Sequence, residues 1–280
     1  MLINNGQITE EIYPIISHNN KALTHGHSIV EEMRIMGGQI IFWEAHYLKI
    51  MASMRMLRIT IPMDFTPEKL SDLILDALAK SPVLKQDALV RFQVYPNETA
   101  PRETQYYISL TELRVPQWQA PAKTPFEMGL YKDYYVSDNG LSALPTSNQL
   151  IAALAHIFAF ENDFQACFLL NTSKEVIGTN RGTLYMLLDG EIHTPPLSSG
   201  TKDSVFRKKM NQAIEKDNSY VLKTDSISPF SLQKASALCI LNVSDGLISV
   251  SKYRKKTYEG DDLYAYMTQL LAKVAQEALI

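Results

Sequence analysis

Apolar and polar residues alternate through IVEEMRI and QIIFW on either side of Gly37-Gly38, a pattern that predicts a β-hairpin because glycine supplies the positive φ of a tight turn. The period then lengthens. From Glu44 onward Tyr47, Met51, Met54 and Leu57 or Arg58 recur at helical spacing, so a helix with a methionine-rich inner face follows. Thr66 before Pro67 marks the next helix start, since a threonine cap and a proline at the first helical position both suit the orphan amides there. The stripe Leu70, Leu73, Ile74, Ala77, Leu78 carries that helix to Ser81-Pro82. Two strands, ALVRFQVYP and QYYISLTEL, follow across NETAPRE. PQWQAPAKTP is proline-rich and aperiodic, which reads as a connector over 116–126 between an N-terminal α/β domain, 1–115, and a larger C-terminal domain, 127–280.

Beyond the connector FEMGLYKDYYV alternates as a strand, and VSDNGLSALPTS is a turn-rich approach to a helix over about Asn148 to Phe160. ACFLLNT is a buried strand leading to Gly178 and a hairpin closed by Asp189-Gly190. Lys202 to Asp217 reads as a helix capped by Asp203 or Ser204, with Phe206, Met210, Ala213 and Ile214 inward. ALCILNV and LISVSKY pair as strands, and a helix runs from Asp261. No internal repeat interrupts this order.

Composition narrows the function classes. The chain has 280 residues, 46% hydrophobic and 20% charged, which is globular, and its net charge of -3 offers no field for nucleic acid or anionic lipid. The N-terminus lacks a basic, apolar leader and no stretch reaches about 18 uninterrupted apolar residues, so a cytoplasmic location without a membrane span is expected. Cys167 and Cys239 each lie inside an apolar run and read as reduced core residues. His25-Gly26-His27 has metal-like spacing with no local third ligand, so loop histidines and no metal are expected. Gly178-Thr-Asn-Arg-Gly182 lacks the lysine-serine ending of a nucleotide loop and reads as a turn. The basic run Lys252 to Lys256 reads as a solvated strand end.

GHSIVEEMRI, HYLKI, LSALPTSN, TPPLSSG and Arg207 stand in an order and spacing that resemble the class IV aminotransferases, the family of branched-chain and D-amino-acid aminotransferases and aminodeoxychorismate lyase. The resemblance spans nearly the whole chain. It implies the fold-type-IV architecture, two α/β (α+β) domains with a cleft between them, a homodimer, and pyridoxal phosphate as cofactor.

Such enzymes need a lysine to form the imine and a carboxylate to hold the pyridine nitrogen protonated, which together make the cofactor an electron sink. In the family motif L-x-x-L-K-T-x-N the lysine position falls on Pro145. In D-x-x-G-x-V-x-E-x-x-x-x-N-L-F the glutamate falls on Gly178 and the asparagine on Thr183, while Glu175 lies an odd number of residues away and on a regular strand would face the other side. The phosphate arginine corresponds to Lys49, which keeps the charge without the planar fork. The amides that face phosphate belong to Val205 and Phe206, preceded by an adverse Asp203, and the phosphate-contacting hydroxyl aligns with Val243, next to Ser244. Thr179, Lys49, Val205, Phe206 and Ser244 are thus the candidates for a residual anion site, and Arg91 matches a strand arginine that contacts substrate or, alternatively, is a solvated strand charge.

These replacements imply a family member without the normal imine chemistry, its cofactor binding weak or absent, with a small anion as a remaining ligand class. The alternative is an active aminotransferase or lyase with a displaced lysine, for which Lys132, Lys202 and Lys49 are the candidates. Restoring Pro145→Lys, Gly178→Glu and Thr183→Asn together is expected to recover cofactor binding better than any single change.

Overall fold

In the computed structural model, the residues described are 1–9, 17–84, 86–100, 102–113, 125–259 and 262–278. The connector over 116–126 therefore falls, up to residue 124, outside the described residues. The chain forms two compact units, Met1–Pro116 with Pro145–Asn148 and Ala278–Ile280, and Gln117–Leu144 with Gln149–Glu277. The short return of Pro145–Asn148 to the first unit is not visible in a linear reading of the domains.

The first unit contains β1 (Leu2–Asn4), β2 (Gln7–Thr9), α1 (Lys21–His25), β3 (Ile29–Met36), β4 (Gln39–Ile40), α2 (Trp43–Met56), α3 (Pro67–Ala79), β5 (Ala88–Pro96) and β6 (Thr104–Thr111). Its sheet has the order β2-β1-β6-β5-β3-β4, antiparallel at every pairing. The period-2 pattern decides its inner face: Ala88, Val90, Phe92 and Val94 are buried while Arg91 points outward. Thr66 accepts the Lys69 amide at 3.2 Å with Pro67 at the first helical position, and α3 then buries Leu70, Ile74, Ala77 and Leu78. Met51 and Met54 of α2 join the same core, as their spacing requires.

The second unit contains β7 (Glu127–Leu130), α4 (Gly140–Ala143), α5 (Leu150–Glu161), β8 (Ala166–Leu170), β9 (Val176–Thr179), β10 (Thr183–Leu188), β11 (Glu191–Thr194), α6 (Val205–Asp217), β12 (Leu222–Thr224), α7 (Pro229–Lys234), β13 (Ala237–Asn242), β14 (Gly246–Ser249), β15 (Lys252–Tyr253), β16 (Lys256–Thr257) and α8 (Asp262–Glu277). Two sheets carry them, β12-β11-β10-β13-β14 and β16-β15-β7-β8-β9. Strand β8 is buried at every position, because β7 and β9 pair on its two sides while α5 packs Ala155 and Ala159 into the cluster that holds Cys167, Leu169 and Ile177.

The strand expected through QIIFW ends at Ile40, with Trp43 already in α2, and further boundaries also differ from the sequence reading. The strand expected through FEMGLYKDYYV stops at Leu130, and beyond it Val136 makes only a single bridge to Asn171. The helix expected from about Asn148 begins at Leu150, because Thr146 bridges Ile29 and keeps the preceding residues extended. The helix expected from Lys202 begins at Val205, since Ser204 in extended geometry accepts the Arg207 amide at 3.1 Å and so is the cap. LISVSKY also divides, giving β14 to one sheet and β15 to the other. Both cysteines are free and buried. Among the described residues no helix is long and apolar enough to cross a membrane.

Candidate functional site

Proline sets the geometry of the segment on which the motif comparison turns. Its ring excludes the helical region for the residue before it, and Leu144 accordingly lies at φ -71°, ψ 149°, ending the short helix α4 that Asn139 caps. The Pro145 carbonyl accepts the Val30 amide at 2.6 Å, and the Ser147 amide donates to the Ser28 carbonyl at 3.2 Å. Residues 145–147 therefore run beside the start of β3, held by their backbone.

A buried carboxylate of the first unit is paired within that unit. Glu31 is buried on β3; its Oε1 lies 2.7 Å from His46 Nδ1, and its Oε2 accepts Lys49 Nζ at 2.8 Å. Burial pushes the Glu31 carboxyl up, but the His46 hydrogen bond and the Lys49 charge outweigh it and hold the carboxyl below its usual range. Lys49, one of the anion-site candidates, is thus already the counter-ion of a buried carboxylate. Arg91, the substrate candidate, makes two hydrogen bonds to Glu32 Oε1, at 2.7 and 3.1 Å, from its cross-strand partner position. Arg91 is exposed and Glu32 partly so. His27 Nε2 sits 2.8 Å from the Leu57 carbonyl and His25 Nδ1 2.7 Å from Thr24 Oγ1. A groove of about 670 Å³ in this unit, near Asp64, Lys69, Glu103 and Tyr106, is lined by none of the candidate anion-site or substrate residues.

In the second unit the turn at Thr179 is linked to Ser244 through Arg181, Asp245 and Asn242. Strand β9 bulges between Val176 and Gly178, and Gly178 adopts φ +136°. A β-carbon there would lie 3.2 Å from the Gly182 carbonyl in a conformation that side chains rarely take. Thr179 Oγ1 accepts the amides of Arg181 and Gly182 at 3.1 and 2.9 Å, so the loop that the sequence reads as a turn is closed on its own hydroxyl. Arg181 donates to Asp245 Oδ2 at 2.7 Å, Asn242 Nδ2 donates to the same oxygen at 3.1 Å, and Ser244 Oγ donates to Asn242 Oδ1 at 3.1 Å. Burial raises the Asp245 carboxyl, yet the Arg181 charge and the Asn242 bond prevail and hold it below its usual range. Thr183, at the start of β10, is buried.

Val205 and Phe206 open α6 as buried side chains, and the Thr201 hydroxyl ties the approach to this helix to the Ile177 carbonyl at 2.9 Å. The Asp203 amide donates to Ala143 at 3.0 Å and Lys202 Nζ donates to the Leu144 carbonyl at 3.2 Å. Lys132 is exposed. Glu175 closes its own loop, its amide and Oε2 both paired with the Asn171 side chain. The sequence reading passed over Asp245 and Asn242, although Asn-x-x-Asp-Gly between two strands is a turn signal that could have marked them. Among the described residues no group of three or more histidine, cysteine or carboxylate side chains could hold a metal ion.

The model of the family described as amino-transferase class IV matches residues 28–253. No curated protein matches the chain by sequence. Solved structures match through the fold. A branched-chain aminotransferase from the archaeon Thermoproteus uzoniensis, solved with norvaline, has a TM-score of 0.85 at 14% identity, covering 99% of this chain and 95% of that one. A hypothetical aminotransferase from Mycobacterium tuberculosis, in its PLP-bound form, gives 0.85 at 11% identity and 99% coverage of both chains. A Legionella pneumophila protein assigned as a 4-amino-4-deoxychorismate lyase gives 0.82 at 15% identity, covering 95% of this chain and 97% of that one. The architecture is that of the fold-type-IV enzymes.

Proposed function

The chain belongs to the class IV aminotransferases, and from that premise we propose that it is a member of the family that does not form the lysine imine with pyridoxal phosphate. The observation that carries this reading is Pro145 at the lysine position, its carbonyl bonded to Val30 at 2.6 Å in a segment, 141–149, that contains no lysine. A ring nitrogen inside the backbone has no amine to condense with an aldehyde. Two further features support it. Gly178, at the carboxylate position, lies at φ +136°, where a side chain is strained, and Lys49, at the phosphate position, is paired with buried Glu31. The residues present therefore do not fit the cofactor as the family holds it. We also propose that the chain self-associates as a homodimer, the form its resemblance to the family implies.

One observation favours a second reading, an active enzyme with a displaced lysine. Lys202 Nζ donates to the carbonyl of Leu144, the residue before Pro145 in the chain, which makes Lys202 the best of the three candidates. A single experiment separates the readings. The purified protein is mixed with pyridoxal phosphate, reduced with borohydride and digested, and the peptides are weighed. No visible imine absorbance and no pyridoxyl-lysine are expected. A pyridoxyl group on Lys202 would establish the second reading, and one on any other lysine of a stoichiometrically labelled protein would overturn the first.

A further inference from the structure

The groove of about 670 Å³ in the first unit has the volume of a small-molecule site, and its walls come from the β1–β2 turn, the approach to α3, α3 itself and the β5–β6 hairpin. Its lining is acidic. Asp64, Asp76 and Glu103 stand against one cation, Lys69. Lys69 Nζ is bonded to Asp64, which neutralises that pair. Asp76 and Glu103 have no cationic partner among the described residues, and the Glu103 carboxylate accepts a neutral donor, Asn97 Nδ2, at 3.2 Å.

A buried polar group reaches the same groove. Tyr106 is 8% exposed, its ring set edge-on against Phe65 and Phe92 at centroid distances of 5.1 and 5.7 Å. Its hydroxyl has no hydrogen-bond partner among the described residues. The oxygen lies beside Gly6, where a β-carbon would come within 3.3 Å of it, and near enough to Asp64 to feel that charge; Gly6 and Asp64 both line the groove. Burial and the Asp64 carboxylate push the phenol above its usual pKa, so it stays neutral, with lone pairs available to an N–H. A hydroxyl left unpaired at such a place costs free energy that a ligand's donor recovers.

We propose that this groove binds an aliphatic diamine, its two ammonium groups held by Asp76 and Glu103, its methylene chain against Pro62 and Leu73, and the Tyr106 hydroxyl as a further acceptor. The charge of the lining turns anions away. A single metal ion does not suit it, because among the described residues no group of three or more histidine, cysteine or carboxylate side chains could hold one. A sugar asks for an open aromatic face, and Phe65 and Tyr106 are both buried. Separate carboxylates with apolar side chains in the same wall match separate cations on an apolar chain. Helix α3 adds to the match, since its last turn, which includes Asp76, holds no basic residue and its carbonyl dipoles favour a cation there.

The test is calorimetric titration of the full chain, without pyridoxal phosphate, so that its result is independent of the imine question. The ligands are the α,ω-diamines from propanediamine to hexanediamine, with pentylamine and pentanediol as controls. At least one diamine is expected to bind, pentylamine about tenfold or more weaker because one charge-assisted bond is lost, and the diol not at all. Asp76→Asn and Glu103→Gln, at exposed residues, should each weaken the best diamine about tenfold, and Tyr106→Phe about fivefold, with circular dichroism unchanged. Asp72→Asn removes the same charge from α3 outside the groove lining and should change nothing. No heat with any diamine would overturn the proposal, as would equal affinity for pentylamine or parental binding by Asp76→Asn or Glu103→Gln. Equal losses at Asp72 and Asp76 would also overturn it, reducing the effect to a general attraction of cations to an acidic surface.

Discussion

Two glycine-bearing turns flank β10, and different forces shape them. Asp189-Gly190 joins β10 to β11 with both residues at positive φ, 52° and 81°, and a β-carbon on Gly190 would meet nothing within 4 Å. Thr179 to Gly182 joins β9 to β10, and a β-carbon on Gly182 would lie 2.4 Å from the Leu241 carbonyl and 3.0 Å from the Asn242 side chain. The first glycine answers to its own backbone angles. The second answers to β13, a strand distant in sequence that leaves no room for even a methyl group. Identical residues in adjacent turns thus have unrelated causes, and only the first can be read from neighbouring letters.

The largest expected effect is at the crowded turn. Gly182→Ala forces a methyl onto a backbone carbonyl that cannot swing aside, and should cost about 3 kcal/mol, the upper part of the range for overpacking; denaturant unfolding followed by circular dichroism reads the loss. Next comes Gly178, where the structure revises the expected gain from joint restoration. Because φ is +136° there, adding Gly178→Glu to Pro145→Lys should lower stability by about 1–3 kcal/mol and weaken rather than improve pyridoxal phosphate binding. Titrating both variants by imine absorbance decides it, and a tighter double variant would show that β9 can relax.

Asp245 sharpens the comparison from its electrostatic side, since its carboxylate fastens the β9–β10 turn through Arg181 and the β13–β14 turn through Asn242. Its carboxyl is held below the usual aspartate range, so the folded state gains stability above the unfolded pKa of about 3.9 and loses it as pH falls through the lower folded value. Asp245→Asn should therefore cost about 1–2 kcal/mol at neutral pH, and the gap to the wild type should close in urea titrations repeated at acid pH. A gap that stays constant would mean that the carboxylate's charge plays no part. The smallest effect is expected at the open turn. Gly190→Ala should cost about 1 kcal/mol from backbone strain alone, and the same unfolding measurement would refute the contrast between the turns if it equalled Gly182→Ala.

Much of the fold was legible in the sequence because its signals act within one helical turn or one pair of strands. Thr66-Pro67 starts α3, the alternation of ALVRFQVYP gives β5 at its observed ends, and Asp189-Gly190 closes a hairpin. The site was legible as a set of positions but not as an arrangement. The sequence named Lys49 as an anion candidate and Arg91 as a substrate candidate, and the structure adds that Lys49 pairs with Glu31 and Arg91 with Glu32. Glu31 and Glu32 lie on β3, an element apart from either cation, and nothing in the local pattern announces the pairing.

The sequence alone determined that position 145 carries no side-chain amine, and proline there also disfavours helical geometry for Leu144, where α4 ends. It determined likewise which residues can cap, turn or alternate, since those properties belong to a side chain and its nearest backbone amides. What only the tertiary structure decided is where charge is neutralised and where space is closed, as at Glu31 with Lys49, at Gly178 with φ +136°, and at Gly182 against Leu241. The physical reason is range. Capping and turn energies are set within a few bonds, whereas a buried ion pair or a forbidden methyl depends on atoms brought together only when distant strands pack.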